Sequence, residues 1–110
     1  MSNWNSEEKS RNFLFRTQNA EQRLVELEPK LGSNPNYSLE YDATLADFWV
    51  YNYLHGKVFL SSPAAFIAEM QQYLENEEIV AAGARRARDP DRFRHNWREL
   101  VLGLMREARL

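Results

Sequence analysis

Asp89-Pro90-Asp91-Arg92-Phe93-Arg94-His95-Asn96-Trp97-Arg98-Glu99-Leu100-Val101-Leu102-Gly103-Leu104-Met105-Arg106-Glu107-Ala108 is the stretch that decides the fold class. Phe93, Trp97, Leu100, Val101, Leu104 and Ala108 recur at steps of four, three, one, three and four residues, which is one face of an α-helix. Asp89-Pro90 supplies a start signal. A carboxylate can accept from the unpaired N–H groups of a first turn, and proline at the first helical position lacks an N–H that would go unpaired anyway.

Ser62-Pro63 repeats the device, ahead of an apolar stripe of Phe66, Ile67, Met70, Tyr73 and Leu74. Glu75-Asn76-Glu77-Glu78 interrupts that stripe, and Ile79 to Arg88 reads as another short helix. Its run Ile79-Val80-Ala81-Ala82-Gly83-Ala84 presents small residues that let helices approach closely, within the fold or across a dimer seam.

Further upstream, Thr44 with Asp47 resembles a capping box. Leu45, Phe48, Trp49, Val50, Tyr51, Tyr53 and Leu54 then fill a helix that should stop at Gly56. Apolar around most of its circumference, this helix should run through the middle of the fold, with Asp47, Tyr51 and His55 on its polar side. Gly32-Ser33-Asn34-Pro35-Asn36-Tyr37-Ser38 reads as a loop before it. At the N-terminal end, Ser6 can cap a helix carrying Glu7 and Glu8 in its first turn. Phe13, Ala20, Leu24, Leu27 and Leu31 extend that helix to near Pro29 or Leu31. A rival reading makes Asn12 to Thr17 a short strand, with Asn19 and Gln22 boxing a helix that starts at Ala20. The expectation is one all-α domain over residues 1–110, a bundle of four to five helices with a loop near 32–43.

Composition narrows the function. A chain of 110 residues, 44% hydrophobic, can bury a single core without staples. With no cysteine, disulfide scaffolds, thiol nucleophiles and cysteine-ligated metals are excluded. No apolar run approaches the roughly 20 residues that cross a bilayer, and Met1 to Glu8 lacks the character of a secretory signal. A cytoplasmic protein with no membrane partner is expected.

Catalytic hardware is sparse. His55 and His95 stand forty residues apart, without the Glu-x-x-His repeats of helical metal sites. Asp91 and His95 lie four apart, ordinary helix spacing. The four glycines form no phosphate cradle, and Ser61-Ser62 fits a helix cap better than a nucleophile elbow. The expectation is a non-enzymatic protein with no catalytic residue, cofactor or metal.

Charge carries the strongest signal. Residues 1–84 hold six Lys/Arg and twelve Asp/Glu, whereas residues 85–110 hold eight arginines and four acids, so a formal charge of −2 conceals an acidic body and a basic end. Arg85, Arg86, Arg88, Arg92, Arg94 and Arg98 crowd into fourteen residues, more than Asp89, Asp91 and Glu99 can neutralise locally. Either carboxylates of the body (Glu69, Glu75, Glu77 and Glu78 are candidates) or another molecule must answer them. Arginine's planar fork suits paired carboxylates and aromatic faces, and arginine with Trp and Tyr marks interface centres.

These features point to a protein-binding module: an accessory subunit, an assembly or stability factor, or an inhibitor of a larger complex, with a homodimer as a further option. The six arginines would meet an acidic protein surface, with Trp49, Tyr51 and Tyr53 supplying apolar contact. The alternative is a nucleic-acid-associated regulator using the same arginines. Against it stand the pI near 5.7 and the place of Trp97 on the core stripe. A second alternative is a ligand pocket within the bundle lined by Trp49, Phe66 and Met70.

Overall fold

Helices start where a side-chain oxygen can take up the unpaired N–H groups of a first turn. In the computed structural model, which describes residues 19–54 and 62–109, there are five α-helices and no strand among the described residues. They are α1 (Ala20–Leu27, followed by a 3-10 turn over Glu28–Lys30), α2 (Pro35–Leu54), α3 (Pro63–Glu75), α4 (Glu77–Arg86) and α5 (Pro90–Arg109). The all-α reading is therefore correct.

Both expected cap-and-proline starts are in place. Ser62 Oγ accepts from the Ala65 N–H at 3.1 Å, and Asp89 Oδ1 accepts from the N–H groups of Asp91 and Arg92 at 3.1 and 3.3 Å. Asn76 serves two helices. Its N–H closes α3 on the Tyr73 carbonyl at 3.3 Å, while its Oδ1 opens α4 by accepting from the Ile79 N–H at 3.2 Å. Because Asn76 caps it, α4 begins before Ile79; extended backbone at Ala87 ends it at Arg86, short of the expected Arg88. Asn76→Ala should cost about 1 kcal/mol, read as a lower urea midpoint at unchanged slope.

Three expectations need correction. The loop near 32–43 is far shorter, because α2 begins at Pro35. Asn34 accepts from the Asn36 N–H at 2.8 Å through its side chain, so Asn34-Pro35 is a third copy of the start seen at Ser62-Pro63 and Asp89-Pro90. Thr44 and Asp47 consequently lie in mid-helix and cap nothing. Lastly, α1 starts at Ala20 after a turn at Asn19, where the rival reading starts its helix, but without a side-chain cap bond from Asn19, so no unbroken helix runs through this position. Ser6 to Thr17, His55 and Gly56 lie outside the described residues.

The hub is α5, which packs against α2, α3 and α4, while α1 covers α2 from the other side. Of the anticipated stripe, Phe93, Trp97, Val101, Leu104 and Ala108 are buried and Leu100 is half-buried; Met105, outside that stripe, is buried as well. Helix α2 is buried on more than one side, by Tyr41, Leu45, Ala46, Trp49, Val50 and Leu54. That fits its position between α1 and α5. Phe66 and Met70 anchor α3 in the same core.

The small-residue run of α4 works inside the fold. A Cβ added at Gly83 would lie 2.1 Å from Phe93 Cζ, so only glycine lets the ring sit against α4. Phe93 in turn meets the Trp49 ring edge to face, at 6.1 Å and 89°. The Trp49 indole N–H donates to the Ile79 carbonyl at 2.9 Å and ties α2 to α4.

Candidate functional site

Asp42 organises the basic end of the molecule. It sits on α2, one turn from buried Leu45, and is completely inaccessible to solvent. A buried carboxylate is costly unless its oxygens are filled. Here the Arg88 N–H donates to Oδ1 at 2.7 Å, and the Asp89 N–H donates to Oδ2 at 3.0 Å. Arg92 Nη1 adds a charged hydrogen bond to Oδ2 at 2.8 Å. One side chain of α2 thus fixes the turn between α4 and α5 and the first turn of α5.

The six arginines divide by this geometry. Arg92 is bound to Asp42, with its Nη2 3.6 Å from Asp89 Oδ2. Arg94 pairs with Glu77 across the α4–α5 hairpin at 2.7 Å, so one of the four candidate glutamates does answer an arginine. Arg86 lies over two rings, 5.7 Å from the Phe48 centroid and 5.8 Å from that of Trp49. Such stacking contributes about 0.5–1 kcal/mol at an exposed site. Arg85, Arg88 and Arg98 are exposed and enter no ion pair among the described residues.

The aromatics divide likewise. Trp49 is 8% exposed and belongs to the core, because its ring is enclosed by Phe48, Tyr53 and Phe93. Tyr51 is half-buried and engaged in an interaction of its own. Tyr53 is exposed. It borders a cleft of about 370 Å³ with Glu69, Gln72, Tyr73, Asn76 and Ile79. Trp97 is buried, which removes its ring as a stacking platform for a base. Asp91 and His95 form no ion pair with each other.

A larger cleft lies beside the Asp42 clamp. About 500 Å³ in volume, it is lined by Leu31, Gly32, Asn34, Pro35, Ser38, Leu39, Arg88 and Arg92. One wall comes from the α1–α2 connection and the start of α2; the other comes from the turn that Asp42 holds. The two arginines are legible in the sequence, whereas the opposite wall is not, because the turn-like composition of residues 32–38 masks the helix that starts at Pro35. The signal that marks it is Asn34-Pro35.

On the flank of the same two helices, Arg23 of α1 donates through Nε to Glu40 of α2 at 2.8 Å and through Nη2 to the same oxygen. It also pairs with Glu26 at 3.2 Å. Glu40, and then Glu26, hold the Arg23 guanidinium above its ordinary pKa. As solvent-screened pairs they set the register of α1 on α2 more than they add stability.

Among the described residues, no helix is long and apolar enough to cross a membrane, and no group of His, Asp and Glu is placed to hold a metal ion. No family model matches the chain, and neither a curated protein nor a solved structure matches it significantly.

Proposed function

We propose that this is a non-enzymatic, cytoplasmic protein-binding module that meets an acidic partner surface through Arg85, Arg88 and Arg98. The observation that carries this reading is the division of the arginine cluster. Arg86, Arg92 and Arg94 are spent on the fold, whereas Arg85, Arg88 and Arg98 remain exposed without a carboxylate among the described residues. Tyr53 adds exposed aromatic area near the end of α2. A regulatory or accessory role, such as a stability factor or inhibitor of a larger complex, suits a small domain of this kind. Whether it works as one copy or as a homodimer is read from its mass in solution by light scattering.

The test compares the wild-type chain with the triple variant Arg85→Glu/Arg88→Glu/Arg98→Glu, after circular dichroism shows that both are folded. Capture from the native host, followed by mass spectrometry, should identify a partner that the variant binds at least 30-fold more weakly, about 2 kcal/mol. Equal binding by both chains would refute the assignment. The nucleic-acid reading predicts something else: retention on heparin and a mobility shift with mixed DNA and RNA that weaken steeply with salt. The buried ring of Trp97 and the acidic body argue against it.

A further inference from the structure

We propose that the cleft beside the Asp42 clamp binds a short acidic peptide segment of a partner protein, seating a carboxylate on Arg88 and a neighbouring aliphatic side chain on Leu31, Pro35 and Leu39. The inference rests on the protein-binding reading above and names the partner's chemistry at one place.

The volume, about 500 Å³, lies in the range of sites that take a compact ligand or a few side chains. Its two walls differ in character. Leu31, Pro35 and Leu39 form an apolar side, and Leu39 is 47% exposed, a large aliphatic group left uncovered. Arg88 and Arg92 form the other side, and no Asp or Glu lines the cleft although the chain carries sixteen.

The two arginines do different work. Arg92 is anchored by Asp42, which answers its charge and makes it a rigid wall. Arg88 is pinned only at its backbone, by the 2.7 Å bond from its N–H to Asp42 Oδ1, and its guanidinium is exposed. A fixed root with an uncompensated charged head is preorganised for a carboxylate, because little backbone order is lost on binding. Ser38 adds a hydroxyl to the lining.

Charge selects the occupant. One uncompensated cation beside an aliphatic wall matches one carboxylate next to one apolar side chain. A nucleic-acid backbone, a repeating polyanion without aliphatic groups, would leave Leu39 uncovered and would find only one uncompensated arginine in the cleft.

The test follows backbone amide NMR shifts of the full chain during titration with the capped peptide acetyl-Glu-Leu-Asp-Leu-amide. Parallel titrations use acetyl-Gln-Leu-Asn-Leu-amide, acetyl-Glu-Ala-Asp-Ala-amide and inorganic phosphate. The expected result is a set of shifts confined to residues 31–39 and 88–92. Affinity should fall at least tenfold with the Gln/Asn peptide or with Arg88→Ala, and several-fold with the Ala peptide or with Leu39→Ser. No shifts with the acidic peptide would overturn the proposal, as would equal binding of the neutral peptide. Phosphate reproducing the same shifts would show a simple anion site and would also overturn it. Concentration-dependent shifts at these residues without peptide would assign the cleft to a second copy of the chain. Shifts around Arg85 and Arg98 alone would remove the cleft but leave the broader reading intact. That reading fails separately, if the triple arginine variant captures its partner as well as wild type does.

Discussion

Asp42→Ala is expected to destabilise the fold by about 3–5 kcal/mol, a large share of the 5–15 kcal/mol typical of a domain this size. The substitution strands three donors at once: the N–H groups of Arg88 and Asp89 and the guanidinium of Arg92. The two backbone N–H groups carry most of the cost, because the Arg92 side chain is 30% exposed and keeps Asp89 Oδ2 at 3.6 Å. Urea unfolding followed by circular dichroism measures the loss. The double variant Asp42→Leu/Arg92→Met should recover part of it, since the charge is removed with its partner, but not all, since two backbone N–H groups still lack an acceptor. A loss below about 1 kcal/mol for Asp42→Ala would mean that water fills the site and that the clamp is not structural. Because the clamp also roots Arg88, the same variant should weaken peptide binding in the adjacent cleft.

Gly83→Ala is expected to cost about 2 kcal/mol net, although alanine is the better helix former by about 1 kcal/mol. The added methyl would lie 2.1 Å from Phe93 Cζ and 2.5 Å from Cε1, far inside van der Waals contact. Phe93 cannot swing away cheaply, because it is fully buried and packed edge to face on Trp49. Trp49 is itself held by its bond to the Ile79 carbonyl, so the strain would spread through the α2–α4–α5 junction. A double-mutant cycle isolates the contact. In a Phe93→Leu background the cost of Gly83→Ala should shrink by at least about 1 kcal/mol. Equal cost in both backgrounds would show that the ring is not what excludes the methyl.

The legible parts of this fold are those written in local chemistry. Ser62-Pro63 and Asp89-Pro90 could be read directly because a cap needs only a side-chain oxygen and the next three residues. The stripe from Phe93 to Ala108 could be read because helical period and burial coincide along a single face. Asn34-Pro35 is just as local a signal, but Gly32, Ser33, Asn34 and Asn36 around it have a turn-like composition that conceals it. Losing that start hid the first nine residues of α2, and with them one wall of the cleft.

What the sequence determined alone is the helical character of the chain, the two helix starts at Ser62-Pro63 and Asp89-Pro90, most of the core face of α5, and an excess of arginine too dense to be neutralised by its neighbours. Those properties depend on spacing within a few residues. Tertiary structure decided which arginines are consumed, because the answering groups come from distant chain positions: Asp42 for Arg92 and Glu77 for Arg94, with the rings of Phe48 and Trp49 beneath Arg86. It also decided that Gly83 serves Phe93 and that Arg88 shares a cleft with Leu39. Contacts between residues ten to fifty positions apart depend on how helices pack, and no periodicity along a single helix encodes them.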